Sequence, residues 1–407
     1  MVKQKRLFLL DAYALIFRGY YAFIKNPRIN SKGLDTSAIL GFTNSLLDVI
    51  KRERPDHLAV CFDKGGSTDR IEIFPEYKAN RDETPEGIKI AIPYIYKILE
   101  AMHIPIMVKE GYEADDIIGT LAKKAEKEGY KTYMVTPDKD FAQLVSDNIF
   151  MYRPMFGGGY ETWGVEEVKA KFEVEDPLQV IDFLGMKGDA VDNIPGLPGV
   201  GDKTAKKFIN LYGSMEGLID HTHELKGKMK EKVEANAELG LLSKKLATIL
   251  LDVPVEFNAK NFELDQPDHE KVNEIFQELE FRRLIENFRK TFAADAPQAS
   301  QPKPSEQPAP VKKSTAAGTG QFSLFDTSQE NEPAELSYKR ETLKSVPHFY
   351  QSIQGAFAFE LFFDQLQQQK SVCFDTETTN IDALKAELVG IAFSWEAHKG
   401  FYIPFPK

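Results

Sequence analysis

Short apolar runs alternate with longer amphipathic stretches through the first half of the chain. The runs are RLFLLDA (6–12), HLAVCFD (57–63), IPIMVKE (104–110) and KTYMVTPD (131–138). Between them lie TSAILGFTNSLLDVIKRE (36–53), EGIKIAIPYIYKILEAM (86–102) and ADDIIGTLAKKAEKEG (114–129), each apolar along one side at helical spacing. Strand followed by helix, repeated, predicts an α/β fold with a mostly parallel central sheet flanked by helices. Asp11, Asp63 and Asp138 each end a predicted strand, and sheets of this kind place their sites beyond the carboxyl ends of their strands.

Later segments read differently. Residues 63–84, DKGGSTDRIEIFPEYKANRDET, form a polar, partly basic stretch expected to be a long loop or mobile helical segment over the sheet edge. From Val165 to about Arg289 the pattern turns helical. Residues 294–340 are rich in Pro, Ala, Gln and Ser, with little to bury, and predict a disordered linker. Strand-like patterning resumes in KSVCFDTETTN and AELVGIAFSW. The expected division is 1–164, 165–293, 294–340 and 341–407, the last too short for a finished α/β domain.

Composition narrows the classes. The 407 residues are 42% hydrophobic and 28% charged, ordinary for a globular protein of two or three domains. No apolar run reaches signal-peptide or transmembrane length. The two cysteines, Cys61 and Cys373, make neither a disulfide framework nor a zinc pattern. A reduced cytoplasmic protein is expected. The net charge of −11 argues only weakly against nucleic acid, because local basic contacts can flank an acidic pocket.

The candidate chemistry is acidic. GYEADDIIGT places Glu113, Asp115 and Asp116 at a predicted helix start, with Glu113 and Asp116 on one face. Alone, such acids would merely complement a helix dipole. Asp138 and Asp140 in TPDKD, Asp189 and Asp192 in KGDAVDN, and Asp11 and Asp63 enlarge the set. Carboxylates without His or Cys suit hard cations such as Mg²⁺ or Mn²⁺, and two such ions could serve phosphodiester hydrolysis.

Two further stretches point to nucleic acid. In DNIPGLPGVGDKTAKKF, the turns at Gly196, Gly199, Val200 and Gly201 lead into a helix start with Lys203 and Thr204, where backbone N–H groups can meet a phosphate. Lys203, Lys206 and Lys207 would add sequence-independent attraction. A plain inter-helix turn is the alternative. EYKANR supplies Tyr77 for stacking and Lys78 and Arg81 as cations near a reacting phosphate, with Arg18 and Arg70 as further basic candidates. A solvated basic loop is the alternative there.

In this order, FDK, YKANR, GYEADD, TPDKD and GDAVDNIPGLPGVGDKTA resemble the 5′-nuclease domain of bacterial DNA polymerase I, a relative of the flap endonucleases, over residues 5 to about 290. The resemblance implies a PIN-like 5′-nuclease fold followed by a helical helix-three-turn-helix region. It assigns Asp11, Asp63, Glu113 and Asp115, with Asp116 close by, to one Mg²⁺ or Mn²⁺ site and Asp138, Asp140, Asp189 and Asp192 to a second. Lys78 and Arg81 match the family's basic residues near the scissile phosphate. The Gly-rich turn matches the element that grips duplex DNA, often with K⁺. The implied activity is a monomeric 5′→3′ exonuclease and flap endonuclease acting on flaps, nicks or free 5′ ends. FDTETT, with Asp375 and Glu377, resembles the first motif of a 3′→5′ proofreading domain, whose further carboxylates the sequence lacks. QFSLF, with Gln321, Leu324 and Phe325, resembles a sliding-clamp docking peptide, chance apolar residues being the alternative. A DNA-binding scaffold without catalysis and a PIN-type ribonuclease stand as rival functions.

Overall fold

The computed structural model describes residues 4–155, 158–292, 349–353, 355–379, 387–396 and 399–405. They fall into two compact units, one ending at Phe292 and the other starting at Phe349. The expected linker and Gln321, Leu324 and Phe325 lie outside the described residues.

In the first unit, strands β1 (Arg6–Asp11), β2 (His57–Phe62), β3 (Ile106–Val108), β4 (Lys131–Val135), β5 (Ile149–Pro154) and β6 (Tyr160–Trp163) form a sheet in the order β3-β2-β1-β4-β5-β6. All pairings are parallel except β5 with β6. Helices α1 (Ala12–Ala22), α2 (Ser37–Glu53), α3 (Thr68–Ile73), α4 (Glu86–Ala101) and α5 (Ala114–Lys127) accompany it. The strand order reverses between β1 and β4, so a crevice opens beyond their carboxyl ends.

The apolar runs are continuous because both faces of the sheet are covered. Leu7 and Leu9 point into a core shared with Ile117, Ile118 and Leu121 of α5. Phe8 and Leu10 point into the opposite core, with Leu15 and Ile16 of α1, Phe42 and Leu46 of α2 and Ile95 and Ile98 of α4.

The helical segment comprises α6 (Val165–Phe172), α7 (Gln179–Lys187), α8 (Asp202–Tyr212), α9 (Met215–Asp220), α10 (Gly227–Ala235), α11 (Ala237–Ala247), α12 (Ala259–Phe262), α13 (His269–Glu278) and α14 (Arg282–Phe292). Its last two helices do not stay with the others. Val272, Phe276 and Phe288 enter the same core as Phe8, packing α13 on α4 and α14 on α2. Their side-chain pattern announces an apolar stripe but not its destination. The α1 helix and the β5–β6 hairpin were also absent from the expected element list; α1 follows β1 without a loop, Asp11 being both strand end and helix cap.

The second unit has strands β7 (Phe349–Ser352), β8 (Cys373–Thr378), β9 (Leu388–Ser394) and β10 (Lys399–Pro404) in the order β7-β10-β9-β8, with helix α15 (Ala356–Gln367). Ile353, Phe362 and Phe401 form its small core.

Phe276 is fully buried and meets Phe288 edge to face at 5.9 Å. Phe276→Ala is expected to lower unfolding free energy by about 3–5 kcal/mol, read by urea denaturation. An unchanged transition midpoint would show that α13 does not belong to the sheet's core.

Candidate active site

The crevice at the β1/β4 reversal collects the acidic residues from five separate stretches. Asp11 caps α1, its Oδ1 accepting from Ala14 N at 3.0 Å, while Thr136 Oγ1 donates to Oδ2 at 2.9 Å. Thr136 also accepts from Asp138 N at 3.2 Å, linking the ends of β1 and β4. Asp63, one residue past β2, accepts from Ala114 N at 2.9 Å and so ties that strand to the start of α5. Glu113 is the N-cap of α5 and forms a capping box with Asp116. Asp138 caps the 3₁₀ turn Lys139–Leu144, accepting from Asp140 N at 3.0 Å.

Carboxylates crowded in a buried place should retain protons. Burial pushes Asp11 up to about 7, with Asp63 and Asp138 adding repulsion against the Ala14 and Thr136 hydrogen bonds. Burial, then Asp138, pushes Asp140 up to about 8. Asp115 is raised well above the usual range by burial and by the charges of Asp11 and Asp138. Asp63 and Asp138 are raised as well, burial being the main cause in both. Asp189 goes the other way: burial alone would raise it, but Lys139 and the Val191 N–H hold it below the ordinary carboxyl value.

Cations from the chain offset part of this repulsion. Lys78 Nζ lies 2.6 Å from Glu113 Oε1 and 3.6 Å from Asp192 Oδ2, between the two acidic groups. Arg81 pairs with Asp192 Oδ1, and Lys139 Nζ lies 2.9 Å from Asp189 Oδ2. The turn carrying Lys78 is seated on the loop after α7. Lys78 N donates to Asp192 O at 2.9 Å, Asn80 to Ala190 O at 2.6 Å, and Asn193 to Glu76 O at 2.7 Å.

Among the described residues no three His, Cys, Asp or Glu side chains are already converged as a finished ion site. The donor set nevertheless fits hard divalent cations: all donors are oxygens, several carry unrelieved repulsion, and Asp140 Oδ1 is buried without a hydrogen-bond partner. Asp11, Asp63, Glu113, Asp115, Asp138, Asp140, Asp189 and Asp192 are all brought to this crevice.

Several expected roles require correction. Asp116 is fully buried and spent on Arg70 and on Leu250 N, so it has no oxygen free for a cation. Arg70 is 5% exposed, inside that ion pair, and cannot reach DNA. Tyr77 is buried, its hydroxyl donating to Glu113 Oε2 at 3.1 Å, and offers no face to a base. Arg18, half-buried, donates to the Met155 carbonyl, a contact that does not overturn its expected role. Val200 packs in the core, and Gly196 is buried with its N–H on Ser243 Oγ at 3.0 Å. A Cβ on Gly196 would come within 2.5 Å of Gly188 N, so this glycine serves a close backbone approach. Gly199, at φ +86°, Gly201, the N-cap of α8, and Lys203 are exposed, with Thr204 half-buried beside them. Asp375 and Glu377 lie two apart on β8, both exposed, in the second unit. Sequence reasoning missed Thr136 and Lys139, although both sit in the quoted strand-end motif.

Comparison with known proteins bears on this arrangement. Residues 6–173 match the family described as 5′-3′ exonuclease, N-terminal resolvase-like domain, and 175–270 match 5′-3′ exonuclease, C-terminal SAM fold. A 5′-3′ exonuclease of Aquifex aeolicus is 37% identical over 289 residues, 71% of this chain and 97% of the relative. DNA polymerase I of Bacillus caldotenax is 38% identical over 304 residues, 74% of this chain but 34% of the relative. The chain thus spans about a third of the polymerase relatives it matches. In fold, it is similar to the bacteriophage T5 D15 flap endonuclease, solved in a pseudo-enzyme–product complex with DNA and metal ions: TM-score 0.50, 21% identity, 70% of this chain and 99% of that one. Among the described residues no helix is long and apolar enough to cross a membrane.

The raised carboxyls fix the sign of a pH effect. Folded, Asp11 and Asp140 keep protons up to about 7 and about 8, whereas their ordinary value is 3.8. Their contribution to stability is therefore complete below pH 4 and lost as pH rises through 7 and 8. In EDTA, the thermal midpoint should fall from pH 5.5 to 8.5, and Asp140→Asn should flatten the fall. Parallel curves for the two proteins would contradict the assignment.

Proposed function

Because the chain belongs to the 5′-3′ exonuclease family, we propose that it hydrolyses DNA phosphodiesters at free 5′ ends, nicks and 5′-flap junctions through two divalent cations held in the acidic crevice. The observation that carries this reading is the mutual electrostatic repulsion of carboxylates from five stretches of the chain, several with raised pKa, beyond the carboxyl ends of β1 and β4. Asp11, Asp63, Glu113 and Asp115 would hold one Mg²⁺ or Mn²⁺ ion, and Asp138, Asp140, Asp189 and Asp192 the other. Bound there, such cations supply Lewis-acid activation of water and neutralise charge on the leaving oxygen.

The chain's own residues do the rest. Lys78 spans the two acidic groups and Arg81 stands half-exposed beside it, and both would hold the scissile phosphate and offset charge in the transition state. Thr136 fixes Asp11 relative to Asp138. Gly199, Gly201, Lys203 and Thr204 offer exposed backbone and a cation at the start of α8, a grip for the DNA backbone that reads no sequence. A K⁺ ion at that turn belongs to the same proposal.

The wider context is likewise proposed: a monomeric role inside a DNA polymerase I, in primer removal and repair, with Asp375 and Glu377 the opening of a proofreading domain that contributes nothing to this activity. Gln321, Leu324 and Phe325 would dock on a sliding clamp. A clamp pull-down should be lost in Leu324→Ala plus Phe325→Ala, and its survival would end that part of the proposal.

Cleavage of a 5′-flap duplex should require Mg²⁺, stop in EDTA and be abolished by Asp115→Asn, while Lys78→Ala should lower kcat by about 10²–10³-fold. Tight binding without cutting in any metal would favour the scaffold, and preference for unstructured RNA would favour a ribonuclease.

A further inference from the structure

Arg70 and Asp116 form a fully internal ion pair that the proposed chemistry does not use. Nη1 meets Oδ2 and Nη2 meets Oδ1, each at 2.8 Å. The other contacts of the guanidinium are equally specific: Glu113 Oε2 at 3.2 Å, the Leu246 carbonyl at 3.1 Å from Nε, and the Thr248 carbonyl at 2.8 Å from Nη2. Asp116 Oδ1 also accepts from Leu250 N at 2.8 Å, and Oδ2 from Glu113 N at 3.3 Å. One side chain on α3 thereby joins the first turn of α5 to the last turn of α11 and the segment that follows it.

A pair buried this deeply is a weak source of net stability, because desolvation consumes most of the attraction and apolar residues of similar volume often do as well. What the fork supplies is direction, since its planar donors meet a carboxylate in one orientation. Glu113 Oε2 is held from behind by Arg70 and Tyr77, which leaves Oε1 toward Lys78 and the crevice. Asp115, between the two anchored acids in the same turn, is buried and feels the charges of Asp11 and Asp138.

We propose that Arg70, acting through Asp116, is a positioning residue that locks the first turn of α5 onto the segment after α11, so that Glu113 and Asp115 face the cation site. This rests on the two-cation reading above. Neither Arg70 nor Asp116 touches cation or DNA. Lysine cannot replace the arginine, because a point charge lacks the fork.

The test compares the full chain with Arg70→Lys and with the apolar double Arg70→Met/Asp116→Leu, which leaves no buried charge unpaired. EDTA-stripped protein is titrated with Mn²⁺ by calorimetry, flap-DNA binding is measured in EDTA, and circular dichroism verifies that each protein is folded at the titration temperature. Both variants should bind Mn²⁺ roughly 10-fold or more weakly, as outer residues supporting a metal ligand do, with DNA affinity in EDTA and KM little changed and kcat reduced. Wild-type Mn²⁺ affinity in both variants would overturn the positioning role and leave the nuclease reading intact. Wild-type affinity in Arg70→Lys alone would overturn the claim that the fork is needed. No Mn²⁺ binding by the wild-type chain would overturn the two-cation reading and this inference together.

Discussion

Repulsion among carboxylates in one low-dielectric crevice is the constraint around which the rest of the structure is arranged. Buried acids that lack an opposite charge take up protons or find one. Here both responses occur side by side. Asp11, Asp115 and Asp140 are pushed toward the protonated form, whereas Glu113, Asp189 and Asp192 lie against Lys78, Lys139 and Arg81. The raised groups mark where positive charge is still wanted, and the paired ones mark where the chain already supplies some. A cleft in this condition favours whatever cation enters it, whether a divalent ion or a lysine able to move away.

The scaffold answers that constraint by holding four of the acids from behind. Backbone N–H groups of Ala14, Ala114, Asp140 and Val191 donate to Asp11, Asp63, Asp138 and Asp189. These bonds lower the pKa values that burial raises, leaving Asp11, Asp63 and Asp138 oriented and only partly relieved, whereas Lys139 brings Asp189 below the ordinary value. Arg70 adds a different kind of support. It pairs Asp116 completely and so removes one acid from the cleft, using it to anchor the helix turn that carries two others.

The helical segment takes part in the site. The loop after α7 contributes Asp189 and Asp192 and receives the turn bearing Lys78 and Arg81, and the last turn of α11 and the residue after it supply carbonyls to Arg70. With α13 and α14 packed back over the sheet, Asp189, Asp192 and the exposed Gly199–Gly201 turn share the single segment between α7 and α8. This continuity separates the arrangement from an α/β layer with an independent DNA-binding appendage.

The sequence alone was enough for the alternation of strand and helix, and for the acids at strand ends, since apolar runs and their terminators are local properties. Glu113 as a helix start was likewise local, being written in the spacing to Asp116. The same spacing could not say which of the two acids faces the cleft, because that depends on where Arg70, forty-odd positions earlier, is buried. Tyr77, Arg70 and Gly196 carry chemistry suited to DNA contact and are nonetheless internal, a matter of which side of a loop packs inward. Residue type limits what a side chain can do. Only the tertiary structure decides its neighbours, because burial, pairing and pKa arise from contacts between segments far apart in the chain.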